Sequence, residues 1–530
     1  MKTSYDAVIV GAGHNGLVCG AYLARKGLSV CVVERRDIIG GAAVTEELWP
    51  GFHLTTASYV MSLLQPKVIL DLDLKAHGFA VMKPDPLVQL LPDGRHLVFH
   101  DDTAAFADQL RQFSEKDAEA LPRYRRHMQQ LAPLVRSLMW SRPIDPTSRR
   151  PGDVLDTLKF AWRHRGAVSK FYELYDLFTL SAYDYLAKWF ESDITIAALG
   201  FYAAGGGGGN AAYKTPGTAF ALSRSYLRDN TTAAGGTGFV VGGMGAITKA
   251  IAASGVASGM EIRTGVAVRA IRVGNGRTTG VVLDDGDVIE AKAVVSNANA
   301  RTTFLTLLPE QELPPAFVSR IRGFRAESTV FKVHLALDGL PVFRNFSERR
   351  LGFDYPVQLR LASGTQAVER SYMAAQRGEI DSEPFLTVMT PSLVDPSLAP
   401  AGKHVMSIFG GHVPNRPAGG GWDEKRGVLL DHVTAAIEAQ APGFRDLILH
   451  SQVLTPLDYE RIFDLPGGHL QHGEMSLNQM FFGRPAPHYA NYRTPIDRLY
   501  LCGASAHPGG GVTGIPGHNA AEVILRDFGR

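Results

Sequence analysis

Three glycines near the start of the chain, Gly11, Gly13 and Gly16, form the pattern Gly-x-Gly-x-x-Gly. In such a turn the first glycine allows a tight bend, the second lets backbone approach a pyrophosphate, and the third lets a helix pack on a strand. An apolar run at 7–10 precedes the turn, and Glu34 follows at about the ~20-residue spacing of an acidic group that accepts ribose hydroxyls. The pattern predicts a dinucleotide site; the alternative is a glycine-rich turn in an ordinary α/β protein.

Two further glycine segments favour FAD over NAD as the dinucleotide. Gly40 and Gly41 follow Glu34 and would let backbone pass close to the flavin side of a long cofactor. Near the end of the chain, an apolar run at 499–503 is followed by a glycine-rich loop at 504–514 and then by a helical pattern. Amides at the start of that helix could face the carbonyl oxygens of an isoalloxazine ring.

Candidate groups for proton transfer lie close to this terminal loop. His472 can exchange a proton near neutral pH, and Glu474 could orient it. His507, within the loop itself, is a second candidate catalytic residue. The alternative is a hydrogen-bonded turn that anchors the sheet. Because a flavin carries the redox chemistry, the protein needs to supply position, electrostatics and at most one base.

The residues around these glycines resemble the phytoene dehydrogenase-like flavoproteins. That group includes carotenoid desaturases and isomerases, retinol saturase, and the pyridine nucleotide-disulfide oxidoreductase domain 2 proteins. The likeness rests on Val-Gly-Ala-Gly-His-Asn-Gly-Leu at 10–17, the glycine pair after Glu34, Gly-Gly-Met-Gly at 242–245, and Leu-Cys-Gly-Ala-Ser-Ala-His-Pro-Gly-Gly-Gly-Val at 501–512. Ala42 stands where carotenoid desaturases usually carry arginine, which weighs against a carotenoid substrate.

The resemblance implies an FAD site built from distant parts of the chain. It places the backbone of Val268 at the adenine end and Ser296 with Asn297 near the pyrophosphate. The residues assigned to FAD are Gly11, Gly13, His14, Asn15, Gly16, Glu34, Arg35, Gly40, Gly41, Ala42, Ser58, Val268, Ser296, Asn297, Gly503, Ala504, Gly511, Val512, Thr513 and Gly514.

The order of elements predicts an α/β fold. A Rossmann-like, amine-oxidase-like FAD-binding domain with a β-meander is expected to interleave with a substrate domain of mixed sheet and helical cap. A chain of 530 residues exceeds a single core, which favours this division. The predicted segments are 1–105, 235–305 and 461–530 for FAD binding, and 106–234 and 306–460 for the substrate domain. Residues 55–59 are expected to open a helix, and five glycines at 205–209 a turn.

Composition and charge are those of an ordinary globular protein, with 45% hydrophobic and 20% charged residues. A net charge of +2 gives no electrostatic reason to expect a nucleic-acid partner. Cys19, Cys31 and Cys502 lack Cys-x-x-Cys spacing, so we expect buried core positions and neither a disulfide framework nor a metal site. A strand predicted by residue 6 and the lack of any ~18-residue apolar run favour a cytoplasmic location, with peripheral membrane contact as an option.

Aromatic residues are frequent in the helical region 154–204. They could roof a pocket for an extended apolar substrate or form a plain helical core. The predicted function is an FAD-dependent oxidoreductase that passes hydride from an apolar or aromatic substrate to flavin N5, with oxygen or a quinone as final acceptor. Alternatives are a flavin amine oxidase, and a flavin-dependent polyene isomerase or non-catalytic flavin-binding protein. Homo-oligomers are possible.

Overall fold

The computed structural model describes residues 3–149, 151–206, 209–227, 238–344, 353, 355–362 and 364–530. The strands of this part of the chain are β1 (Ser4–Val10), β2 (Val30–Val33), β3 (Thr45–Trp49), β4 (Phe52–Thr55), β5 (Val81–Met82), β6 (Val88–Leu90), β7 (His96–Val98), β8 (Phe239–Val240), β9 (Glu261–Arg263), β10 (Val268–Gly274), β11 (Arg277–Leu283), β12 (Val288–Ser296), β13 (Val330–Leu337), β14 (Gln358–Leu361), β15 (Phe385–Met389), β16 (His404–Gly411), β17 (Ile448–Leu454) and β18 (Leu499–Leu501). Its α-helices are α1 (His14–Arg25), α2 (Pro66–Asp71), α3 (Thr103–Arg111), α4 (Glu115–Trp140), α5 (Pro151–Arg163), α6 (Phe171–Thr179), α7 (Ala182–Ala187), α8 (Asp193–Gly200), α9 (Gly245–Ala257), α10 (Ala300–Leu305), α11 (Pro315–Arg322), α12 (Thr365–Gln376), α13 (Trp422–Glu438), α14 (Pro456–Phe463) and α15 (Ile515–Asp527).

The first sheet is built around β1, whose apolar residues are buried between helices. Its order is β10-β11-β12-β1-β2-β9, and β18 also pairs with β12. β1 runs parallel to β2 and β12, and α1 packs against α9 and α15. β10 to β12 form the predicted antiparallel meander, but β9 pairs with β2 at the opposite edge, so residues 261–273 do not form one strand pair. Cys19, Cys31 and Cys502 are free and buried in this domain, as predicted.

The second sheet is mixed and has the order β17-β13-β16-β15-β14-β6-β7. β14 runs parallel to β6, and the other neighbours are antiparallel. β13 is buried along its whole length, and α13 contributes to the core on this sheet. The chain leaves the first sheet and returns to it, which confirms the predicted α/β fold. The proposed domain limits stay a prediction.

The helical region from α3 to α8 has a separate core, to which Leu121, Tyr124 and Met128 contribute. The aromatic residues after residue 150 do not all join it, because Trp162 and Tyr172 are 69% and 79% exposed. The expectation that this block uniformly roofs a pocket is therefore wrong. None of the helices in the described ranges is long and apolar enough to cross a membrane.

Residues 55–59 do not open a helix, contrary to prediction. Thr55 ends β4, and the next helix starts only at Pro66. The carbonyl oxygens of Thr55 and Ser58 accept hydrogen bonds from Nζ of Lys332 on β13, at 2.7 and 2.8 Å. A buried side chain from another sheet thus satisfies backbone groups that a helix would have used. Of the glycine run at 205–209, residues 207 and 208 lie outside the described part.

Candidate cofactor site and active site

One cavity brings together residues from both ends and the middle of the chain. It offers about 280 Å³ to the centres of water molecules. Its lining contains these residues of the predicted FAD set: Gly11, Gly13, His14, Asn15, Glu34, Arg35, Gly41, Ala42, Ser58, Val268, Asn297, Ala504, Gly511 and Val512. Their contact with FAD itself stays a prediction.

The first glycine turn is crowded by backbone and by Asn297. A Cβ atom at Gly13 would lie 2.7 Å from Nδ2 of Asn297, and one at Gly16 would lie 2.3 Å from the carbonyl oxygen of Gly11. Gly13 is the N-cap of α1 and supplies no capping side chain, so the first amides of this helix keep their donors for a ligand. This geometry suits a pyrophosphate at the helix N-terminus.

Glu34, directly after β2, is buried and lines the cavity. Its Oε2 accepts the Ala12 N–H at 2.8 Å, and its Oε1 accepts the Arg36 N–H at 3.0 Å. The carboxylate therefore braces the glycine turn while it faces the cavity. The guanidinium of Arg36 pairs with Glu46 at 2.5 Å and lies 5.4 Å from the centre of the Phe463 ring.

Several buried polar atoms on the cavity wall have no hydrogen-bond partner among the described residues. They are His14 Nε2, Asn15 Oδ1, Arg36 Nη1 and Ser58 Oγ. Buried polar groups are normally satisfied, and a dinucleotide carries both donors and acceptors along its length. These atoms, together with the glycine turn, fit a bound FAD.

The terminal loop forms another part of the wall. Val512 has φ +56°, which is strained for a β-branched residue and is the kind of backbone found at ligand sites. Gly511 has φ +119°, and a Cβ there would lie 3.0 Å from both Arg224 Nη2 and Leu63 Cδ1. Gly514 caps α15 without a side-chain hydrogen bond, so the helix start carries free amides here too.

Some predicted FAD residues lie behind the wall rather than on it: Gly16, Gly40, Ser296, Gly503, Thr513 and Gly514. Ser296 is fully buried, and its Oγ lies 2.7 Å from the Thr303 hydroxyl. A Cβ at Gly503 would lie 2.6 Å from the carbonyl oxygen of Asn297. These residues shape the backbone that carries the lining.

Of the predicted catalytic residues, only His472 lines the cavity. Burial, and then the nearby Arg484 guanidinium, lower the pKa of His472 to about 3, so its imidazole is neutral at pH 7. Glu474 does not orient it, because the Glu474 carboxylate pairs with Arg325 Nε at 2.8 Å. Burial raises the pKa of Glu474. His507 lies away from the cavity, with its Nε2 3.0 Å from the carbonyl oxygen of Leu138.

Arg484, which the sequence patterns did not single out, holds the His472 loop to the terminal loop. Its side chain is fully buried and donates to the carbonyl oxygens of Gln471 at 2.8 Å, Glu474 at 3.0 Å and Ala504 at 2.7 Å. Burial lowers its pKa to about 9. Lys332 was missed as well, and burial lowers its pKa well below the usual value. A single cation inside an apolar strand pattern was the available signal for Lys332.

The cavity wall near Gly511 is mainly apolar and aromatic, with Leu63, Tyr59, Tyr202, Phe409 and the cation Arg224. The Tyr59 and Phe409 rings lie 5.2 Å apart, centre to centre. The carboxylates among the described lining residues, those of Glu34 and Asp464, belong to the other end, where Asp464 follows Phe463. We call the wall near Gly511 the substrate end.

A parallel sheet, a glycine turn at a helix start, a buried glutamate and a terminal glycine loop on one cavity define a dinucleotide-binding flavoprotein. The description "flavin containing amine oxidoreductase" matches residues 16–391, and the chain belongs to this family. The prediction of FAD as cofactor and of an FAD-dependent oxidoreductase is thereby confirmed.

Relatives extend over nearly the whole chain. Pyridine nucleotide-disulfide oxidoreductase domain-containing protein 2 of Rattus norvegicus is 40% identical over 552 residues, covering 100% of this chain and 94% of the relative, which confirms the resemblance to that group. A limonene dehydrogenase polypeptide of Castellaniella defragrans is 29% identical over 549 residues, with 99% and 95% covered. The structure of cyclohexylamine oxidase from Brevibacterium oxydans has a TM-score of 0.58 at 17% identity, with 99% and 100% covered, and shows the shared fold.

Proposed function

We propose that this protein oxidises an apolar or aromatic organic substrate at a C–H bond, as a phytoene dehydrogenase-like member of its family. When bound, FAD accepts the hydride at N5 and is reoxidised by oxygen or a quinone. The observation that carries the substrate class is the wall of the substrate end, where Leu63, Tyr59, Tyr202 and Phe409 meet the terminal loop. Such a surface binds apolar carbon and excludes water from the reacting bond.

In this proposal the chain positions its ligands rather than exchanging charge with them. Glu34 and the amides at the start of α1 hold the nucleotide, and the loop at Gly511 and Val512 holds the flavin. His472 is neutral at physiological pH, because its pKa is lowered to about 3 by burial. Its proposed role is to accept a hydrogen bond at the cavity wall, not to donate a proton.

The same wall is poorly suited to an amine. No carboxylate of the described residues lies at the substrate end to balance an ammonium group. The Tyr59 and Phe409 rings are in contact, at 5.2 Å between centres, and so leave no slot between them for a cation. The relative named as a limonene dehydrogenase polypeptide supports a cyclic alkene as one class of substrate to test.

The test is anaerobic reduction of the purified protein. Oxidised flavin absorbs near about 450 nm, and a substrate that transfers hydride bleaches this band. We expect bleaching by a cyclic, linear or aromatic alkene and none by alkyl amines. Bleaching by amines alone would overturn the substrate class, and bleaching by no compound would favour the isomerase or binding alternative.

A pair of variants links the result to the wall. Phe409→Ser removes an apolar ring from the substrate end, so we expect kcat/KM for the alkene to fall about 10- to 100-fold with FAD retained. Asp464→Asn changes the lining at the other end and should leave kcat/KM unchanged. Equal effects of the two substitutions would contradict the placement of the substrate.

A further inference from the structure

An exposed apolar surface lies on α5, α6 and the turn between them. We call it the cap patch, and its members are Leu155, Leu158, Trp162, Val168, Phe171 and Tyr172. Each has more than half of its surface exposed, with 75% for Val168 and 79% for Tyr172. Contiguous exposed apolar surface of this kind marks an interaction site.

The patch is regular rather than scattered. Leu155, Leu158 and Trp162 are spaced three and four residues apart on one face of α5. Val168, Phe171 and Tyr172 continue the same spacing into α6. None of the side chains of α5 is buried in the protein. The face is therefore built to contact something other than this chain's own core.

Charge around the patch is positive. Lys159, Arg163 and Arg165 are exposed beside the apolar residues. The acidic groups of the same segment are neutralised by partners: Asp156 by Arg142 and Arg526, Glu173 by Lys170, and Asp176 by Lys188. The surface thus presents apolar and aromatic side chains within a basic rim.

The inner side of the same helices reaches the cavity. Phe178 of α6 stacks on Phe220 at 5.0 Å between ring centres. Phe220 belongs to the short helix Ala219–Tyr226, which also carries Arg224 and Ser225 of the cavity lining. Two packed layers therefore separate the cap patch from the substrate end.

We propose that the cap patch docks the protein on the surface of an anionic lipid bilayer. Tryptophan and tyrosine favour the interface between lipid and water, and apolar helix faces insert there. Basic side chains near the surface add attraction to anionic headgroups. If the proposed reaction is correct, docking places the cavity next to the phase in which an apolar substrate dissolves; the docking itself does not depend on the reaction.

The experiment is flotation of the full-length holoprotein with phosphatidylcholine vesicles that contain or lack phosphatidylglycerol. We expect binding to the anionic vesicles and loss of at least tenfold in the Trp162→Ser, Tyr172→Ser double variant. Lys159→Gln with Arg163→Gln should lower the partition coefficient about thirtyfold, because each basic residue near an anionic surface contributes about a fivefold factor.

The control pair is Val256→Ser with Met373→Ser, which are 53% exposed in helices outside the patch. It should bind like the wild type, and all variants should keep the flavin spectrum and thermal midpoint. Failure of the wild type to bind anionic vesicles, or equal binding by the patch variants, overturns the proposal. So does a dimer in sedimentation velocity that the patch variants dissociate without any vesicle binding by the wild type, since the patch is then an interface between copies. No assay uses a substrate, so failure here leaves the proposed reaction standing.

Discussion

At the scale of single residues, the cavity depends on a few groups that hold backbone in place. Glu34 shows this, because its two oxygens accept N–H groups from Ala12 and Arg36 while the side chain faces the cavity. The predicted ribose contact would add to this bracing role. The spacing from the glycine turn located the residue, but the two backbone bonds follow from the fold.

Substitution of Glu34 tests its role. In Glu34→Gln, the amide group faces a backbone donor, and one unsatisfied buried group costs about 1–3 kcal/mol. We expect FAD affinity to fall about 5- to 150-fold, measured by titrating apoprotein with FAD and following flavin fluorescence. Glu290→Gln, an exposed change on β12, should have no effect. Wild-type affinity of Glu34→Gln would refute the assignment.

Two glycines make a matched pair for steric effects. Gly16→Ala would place Cβ 2.3 Å from the Gly11 carbonyl oxygen, a clash that the backbone cannot avoid without moving the turn. We expect loss of FAD retention after gel filtration. Gly427→Ala, in open space on α13, should keep FAD and stabilise the protein by up to about 1 kcal/mol. A Gly16→Ala protein that retains FAD as the wild type does would show that the turn tolerates a side chain.

At the scale of elements, loops from separate parts of the chain are joined by buried cations. Arg484 donates to carbonyl oxygens of both the His472 loop and the terminal loop. Lys332 does the same for the segment from Thr55 to Ser58. In both cases the cation satisfies carbonyl groups of irregular backbone, which lets loops rather than helices form the cavity wall.

Removal of Arg484 should therefore weaken both loops together. Arg484→Met leaves several buried carbonyl groups unsatisfied, and we expect the free energy of unfolding to fall by about 3–5 kcal/mol. Denaturant unfolding monitored by circular dichroism measures this. Arg320→Met is the control, because Arg320 donates to the Asn478 carbonyl from an exposed position. Its cost should stay below about 1 kcal/mol, and similar costs for the two variants would mean that Arg484 is not a joint between the loops.

The sequence predicted well those elements whose contacts are local. The glycine turn, the helix after it and the meander each use neighbouring residues. The His472–Glu474 pair failed because His472 has φ +57° and because the partner of Glu474, Arg325, comes from a distant segment. The direction of the α5 face was not predictable either, since an aromatic helix looks the same whether it covers a pocket or faces outward. Tertiary packing decides both cases.

At the scale of the whole molecule, the interleaved chain buries titratable groups where the two sheets and the helical region meet. His412, His469 and His507 are nearly or fully buried, and Ser371 and Leu138 from other segments hydrogen-bond to the backbone N–H of His412 and to the side chain of His507. Burial lowers the pKa of His412 and His507 to about 4 and that of His469 to about 3. These groups are neutral in the folded protein at pH 7.

This burial predicts acid lability. The unfolded chain takes up protons on these histidines near pH ~6.5 while the folded protein does not, so the free energy of unfolding falls as pH drops from about 6.5 toward 4. Each histidine contributes a loss of about 2 kcal/mol at pH 5. Because a domain has only about 5–15 kcal/mol in total, we expect unfolding near pH ~4–5, measured by circular dichroism against pH. His507→Gln should move the midpoint to lower pH and exposed His450→Gln should not, whereas a signal constant down to pH ~4 would contradict neutral burial.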